Sequence, residues 1–148
     1  DRGLTRDPTD ARKVAMNSRV LLIASSFFLG AVGIAASFAP HELLAAIGVS
    51  AEGPLPVVVQ LAGALYLGFA LTNWTAKGSL VGGVYARPIS LGNFFHFVVG
   101  ALALTKYESA SGFAGPLLVV WAAYVAFAVG FGLLVFRPAK ASGSTNSR

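Results

Sequence analysis

The sequence predicts an all-α membrane protein: four antiparallel transmembrane helices in one bundle, with a short amphipathic interfacial helix after the first span. Composition is the first reason, because 55% of the 148 residues are hydrophobic and only 11% are charged, against about 25% charged in soluble domains. The mean hydropathy is correspondingly high, at +0.70. Second, four apolar segments recur along the chain, at residues 20–38, 57–71, 89–104 and 117–136. Third, the basic residues fall almost entirely on one side of those segments.

A helix crosses the hydrocarbon core with about 20 apolar residues, in a range of roughly 17 to 25. The first and fourth segments meet that length. The second and third reach it only with their more polar ends, which places the spans at about residues 20–38, 56–74, 88–105 and 116–136. All four are too rich in Ala, Leu, Phe and Gly, and too poor in strict alternation, for barrel strands. Short connections make consecutive spans antiparallel neighbours. After the first span comes "PHELLAAIGV". Pro40 suits a first helical turn, Glu42 suits its positive end, and Leu43, Leu44 and Ile47 fall at helical spacing, so an interfacial helix is expected there, broken by "SAEGPLP". Pro88 opens the third span, and Gly115-Pro116 turns the chain into the fourth.

Residues 1–19 and 137–148 are polar tails with no core of their own. Met16 is the only methionine, and "MNSRVLL" reads as a natural start. The end of the first span, Ser37-Phe38-Ala39, resembles a signal-peptide cleavage site, but Pro40 follows directly and the apolar run is long for such a signal.

Ten basic residues (Arg2, Arg6, Arg12, Lys13, Arg19, Lys77, Arg87, Arg137, Lys140 and Arg148) lie on one side of the spans. Lys106 stands alone on the other, with Glu42, Glu52 and Glu108. The positive-inside rule therefore puts both termini and the middle loop in the cytoplasm. Topology and attraction to anionic lipid account for the net charge of +5. Nucleic acid is not an expected partner, since no basic stripe alternates with stacking aromatics.

Several chemistries lack material. There is no cysteine, which removes disulfides, thiolate metal sites and thiol redox chemistry. All six carboxylates lie outside the spans, leaving nothing for an acidic proton relay. Two distant histidines cannot build the usual three-ligand metal site, and a serine triad would need an acid near His96. The balance favours a non-catalytic role.

One constellation sits inside the spans. "NFFHFVVG" places His96 and Asn93 among aromatic, valine and glycine residues. Small residues at four-residue spacing mark the expected packing stripes: Ser26 and Gly30; Ala64 and Gly68; Gly92, His96 and Gly100; Ala122, Ala126 and Gly130. At 100° per residue His96 shares a face with Gly92, Asn93, Gly100 and Ala103, while Phe94, Phe95, Phe97 and Val98 cover much of the remainder. Its depth, ~12 Å from Pro88, matches Tyr66 at ~10 Å from Asn73 and the serines Ser25 and Ser26. Tyr66, Asn93 and His96 are thus candidate ligand-binding residues. Three roles are open to His96: a structural hydrogen bond between helices, contact with a ligand in an intramembrane pocket, or axial ligation of a haem or chlorophyll-type pigment, for which Gly92 and Gly100 would leave room. No cofactor is otherwise expected.

A second constellation is the middle loop, "NWTAKGSLVGGVYARP". Asn73, Trp74, Lys77, Tyr85 and Arg87 crowd there beside three glycines, a set able to hold an anionic head group through charge and free backbone N–H groups. It lacks the order of a Walker A or dinucleotide motif. Ordinary positive-inside anchoring with interfacial aromatics explains the same residues.

"SFAPHELLAAIGV", and then "LAGALYLGFALTNWTAKGSLVGGVYARPISLGNFFHFVVGALAL", resemble the small four-helix bacterial inner-membrane proteins grouped as DoxX-like. The shared features are the Asn-Trp, Lys-Gly, Gly-Gly-x-Tyr, Arg-Pro and Asn-x-x-His patterns, within Val20 to Phe136. The resemblance implies a four-helix bundle in a bacterial cytoplasmic membrane, and no established activity. This chain lacks the cysteine of redox-active relatives. Two functional classes stay open. One is a non-catalytic accessory subunit or lipid-interacting bundle, whose partners are anionic lipids, other membrane subunits or a second copy. The other is a ligand-handling carrier or enzyme with a pocket around His96.

Overall fold

The computed structural model describes residues 8–78, 86–111 and 115–136. The chain forms α1 (Pro8–Phe38), α2 (Pro40–Ala46), α3 (Leu55–Ala76), α4 (Ala86–Ser111) and α5 (Pro116–Val135). Four of these contain segments long and apolar enough to cross a membrane: Met16–Phe38, Leu55–Ala76, Arg87–Tyr107 and Leu117–Val135. The chain is a small multi-pass membrane protein with an antiparallel four-helix bundle.

Three helices extend past the bounds expected from the sequence. Helix α1 starts at Pro8, well inside the segment expected to be a polar tail. Pro8 suits a first turn, and "DARKVAM" contains few helix-breaking residues, so the helix continues past the apolar boundary. Helices α3 and α4 run 22 and 26 residues, about 33 and 39 Å, which removes the apparent shortness of the second and third apolar segments. Polar residues at the ends complete the helical length that their apolar centres lack.

Helix α2 packs Pro40 and Leu44 inward and leaves His41 and Glu42 exposed. Its end is set by Gly48 at φ 73°. The Val49 N–H donates to the Leu44 carbonyl at 2.9 Å and the Gly48 N–H to that of Ala45 at 3.0 Å, a paired closure that needs a left-handed residue.

Packing is closest within two pairs, α1 with α3 and α4 with α5. The first pair approaches backbone to backbone. A Cβ on Gly63 would lie 2.7 Å from the Ser37 nitrogen and 2.9 Å from the Gly33 carbonyl oxygen, and one on Gly33 would lie 3.0 Å from the Gly63 carbonyl oxygen. Along the same seam the Ser26 hydroxyl donates to the Ala70 carbonyl at 2.6 Å. The Ser37 hydroxyl, over Gly63, is buried without a hydrogen-bond partner. In α4–α5, Gly100 accommodates the Tyr124 ring, which a Cβ there would overlap.

The inward faces correct several stripe assignments. Gly68 has nothing within 4 Å of a built Cβ, and Ala64 is exposed; Gly63 and Ala70 face α1 instead. On α5 the inward residues are Tyr124, Ala128 and Phe131, and Gly130 packs against Leu21 of α1 as its place in the stripe predicts, while Ala122 and Ala126 are exposed. On α4, Ala103 is exposed, whereas Phe97 is 0% exposed and stacks on Phe127 and Phe131 with centroids 4.8 and 5.8 Å apart. Phe94 likewise packs toward α5, its ring 3.1 Å from a Cβ built on Gly132. Small-residue spacing names faces where backbones could approach. In this bundle large rings fill the centre beside the small residues at the seams, so the spacing alone selects the wrong face on α3 and only part of the right one on α5.

Candidate functional site

The polar groups inside the bundle occupy two levels. Nearer the terminal end, α3 and α4 meet through an amide pair. The Asn73 amide donates to the Asn93 side-chain oxygen at 2.7 Å, and Asn93 donates back at 2.7 Å. Asn73 also donates to the Ser25 hydroxyl of α1 at 3.0 Å, Asn93 to the Ile89 carbonyl at 2.9 Å, and Ser25 to the Leu22 carbonyl at 3.1 Å. Asn73, Asn93 and Ser25 are 0%, 1% and 0% exposed. Both N–H bonds of each amide and both side-chain oxygens are engaged, which an apolar interior requires.

Three residues, or about 4.5 Å, further along α4 lies the second level. The Tyr124 hydroxyl donates to the Tyr66 hydroxyl at 3.0 Å and lies 3.4 Å from His96 Nε2. Aromatic rings enclose the imidazole: Phe69 stacks on it at 4.9 Å, and Tyr66 and Phe97 meet it edge-on at 5.3 and 5.1 Å. His96 is half-buried, and Tyr124 is 3% exposed.

Of the sequence candidates, Tyr66 and His96 come together. Asn93 does not join them, because its amide is spent on Asn73, and Ser25 belongs to the amide level as well. Tyr124 is the residue that sequence reasoning missed. Its signal was a phenol in an otherwise apolar span, since a buried Tyr hydroxyl needs a partner. Of the notches considered as room for a macrocycle, Gly100 is where the Tyr124 ring lies, whereas Gly92 lines the α3–α4 groove with the Phe69 ring 3.9 Å from a Cβ placed there.

The middle-loop set divides. Asn73 is interior and engaged. Lys77 Nζ lies over the Trp74 ring, 2.7 Å from its centroid, and Trp74 meets Phe27 of α1 edge-on at 5.7 Å. Desolvation, and then the like charge of Arg19, hold the Lys77 ammonium below the ordinary lysine range. Arg87 is exposed at the start of α4, and Tyr85 lies outside the described residues.

Two grooves open on the lipid-facing surface. One, of about 490 Å³, runs between α3 and α4 along Ala64, Leu65, Gly68, Phe69, Thr72, Pro88, Ile89, Gly92 and Asn93. The other, of about 520 Å³, lies between α4 and α5 and is lined by Phe94, Val98, Ala128, Val129, Gly132, Leu133 and Phe136. Only the first has hydrogen-bonding side chains in its wall. Comparison with protein-family models, with curated proteins and with solved structures finds no match to this chain.

Proposed function

We propose that this protein is a non-catalytic, lipid-interacting bundle, an accessory component of a larger membrane assembly, and that it holds a lipid in the groove between α3 and α4. The observation that carries this reading is the groove itself: about 490 Å³, within the usual 300–1,000 Å³ of small-molecule sites. Gly68 and Gly92 in its wall let a chain approach the backbone. Anionic lipid fits the charge at the terminal end, where Arg19, Lys77 and Arg87 lie. Association with other membrane subunits or a second copy belongs to the same reading, as does the DoxX-like affiliation, which rests on the residue patterns quoted above.

Gly68 makes the test clean, because a Cβ there meets nothing within 4 Å among the described residues, so a larger side chain can extend into the groove. Native mass spectrometry from lipid nanodiscs is expected to show bound lipid on the wild type and its loss in Gly68→Leu. Equal lipid on both proteins would overturn the groove as the site.

The reading also places the protein in a bacterial cytoplasmic membrane with both termini inside. Cysteines introduced singly at Ser50 and Ser142, in a chain that has none, are expected to react with impermeant maleimide from opposite sides. Reaction of both from one side would reject this orientation.

A second reading, a ligand-handling carrier or enzyme, draws on the contact of His96 with Tyr124 and of Tyr124 with Tyr66. An ionisable ring inside a span is costly to keep without a use.

A further inference from the structure

The groove and the histidine level are adjacent. His96 follows Gly92 by one turn of α4 and lies just beyond the residues that line the groove. Phe69 belongs to both: it lines the groove and stacks on the imidazole. The groove therefore ends against a ring that covers His96, about 13 Å in from Arg87.

Hydrogen-bond accounting states what this end can recognise. A phenol has one proton. With Tyr124 giving its proton to Tyr66, the imidazole tautomer that completes the 3.4 Å contact is the one whose Nε2–H donates to the Tyr124 oxygen. A neutral imidazole with its proton on Nε2 carries a bare lone pair on Nδ1, an acceptor. The Tyr66 hydroxyl, having accepted from Tyr124, keeps its own proton to donate. Among the described residues neither Nδ1 nor that proton has a protein partner. An acceptor and a donor on rings whose centroids lie 5.3 Å apart together match a hydroxyl group, which offers both functions. A carbonyl can only accept, and an alkyl chain does neither.

We propose that the α3–α4 groove is a binding site for an apolar alcohol, whose chain lies along Gly68 and Gly92 and whose hydroxyl, admitted by rotation of Phe69, donates to His96 Nδ1 and accepts from Tyr66. The inference rests on the lipid-groove reading and deepens it by naming the ligand class. The amide level below plays no part in recognition, since Asn73 and Asn93 satisfy each other.

The chain has only two histidines, His41 and His96, so the imidazole nitrogens can be followed directly by NMR in nanodiscs, with His41→Gln assigning the pair. The probes are a long-chain primary alcohol, the ketone of equal chain length and the corresponding alkane. The Gly92 amide signal reports occupancy of the groove, and the His96 Nδ1 signal reports the hydrogen bond. The alcohol is expected to move both signals and to bind roughly ten- to a hundredfold more tightly than the alkane, the worth of two ordinary hydrogen bonds. The alkane should move Gly92 alone. Tyr66→Phe, which keeps the ring, should reduce the preference for alcohol and leave alkane binding unchanged. Equal binding of alcohol and alkane with a silent His96 would overturn the alcohol site and leave the lipid groove standing. A ketone that moves Nδ1 as the alcohol does would overturn the assignment of Nδ1 as acceptor. Failure of all three probes to move Gly92 would overturn the groove reading together with the inference.

Discussion

Gly63→Val is expected to destabilise the bundle by about 3 kcal/mol, the upper part of the range for overpacking a close contact. The first atom of any side chain at Gly63 would meet the Ser37 nitrogen at 2.7 Å and the Gly33 carbonyl oxygen at 2.9 Å. Both belong to backbone that cannot turn away. Relief requires α1 and α3 to separate along the seam, which would also pull the Ser26 hydroxyl from the Ala70 carbonyl. Helices in lipid lack a hydrophobic drive toward each other and depend on such close packing, so little compensates for the separation. Equilibrium unfolding in bicelles measures the loss, with Gly68→Val as the control on the open face of the same helix. Equal stability of the two variants would show that the Gly33–Gly63 crossing does not hold the pair together.

Asn73→Leu is expected to cost about 2 kcal/mol, because removing one partner of a buried pair leaves the other unsatisfied at roughly 1–3 kcal/mol. Asn93 would lose the oxygen it donates to and the N–H it accepts from, and Ser25 would lose its donor. Asn93→Leu should cost a similar amount. The double variant should be less damaging than the sum of the two, since it leaves no orphaned amide, with a coupling of about 1 kcal/mol between contacting residues. The same unfolding assay supplies all three values. Strict additivity would show that the two amides do not act as a unit, and that the bond seen between α3 and α4 contributes nothing to holding the two helix pairs together.

Much of the fold was legible because membranes simplify the problem. A span must satisfy its own backbone and present apolar side chains to lipid, so residue counts alone located four helices. Proline and glycine punctuation placed the starts of α2 at Pro40 and α5 at Pro116, and put the start of α4 at Pro88, two residues after Ala86 where it begins. The candidate site was legible only in part. His96 and Tyr66 were recognisable as polar groups at matching depth, and their meeting follows from antiparallel neighbours of known rise per residue. Asn73 illustrates the opposite case. Beside Trp74 and Lys77 it reads as part of a polar loop, yet it lies two turns beyond Tyr66 on the same face of α3 and points inward with it.

Composition and segment length determined that this chain is helical, multi-pass and built as four neighbouring spans, because the cost of an unsatisfied backbone in hydrocarbon leaves no other solution for such segments. Tertiary structure decided which face of α3 and α5 is inward and which residues meet across the bundle. In water a polar face and an apolar face announce themselves, but a span in lipid is apolar all round, and its inward side is chosen by shape and by a few hydrogen bonds between distant residues. The approach of Gly33 to Gly63, the pairing of Asn73 with Asn93 and the arrival of Tyr124 beside His96 are all of this kind. Each depends on the relative rotation of two helices, a quantity that neither helix encodes alone.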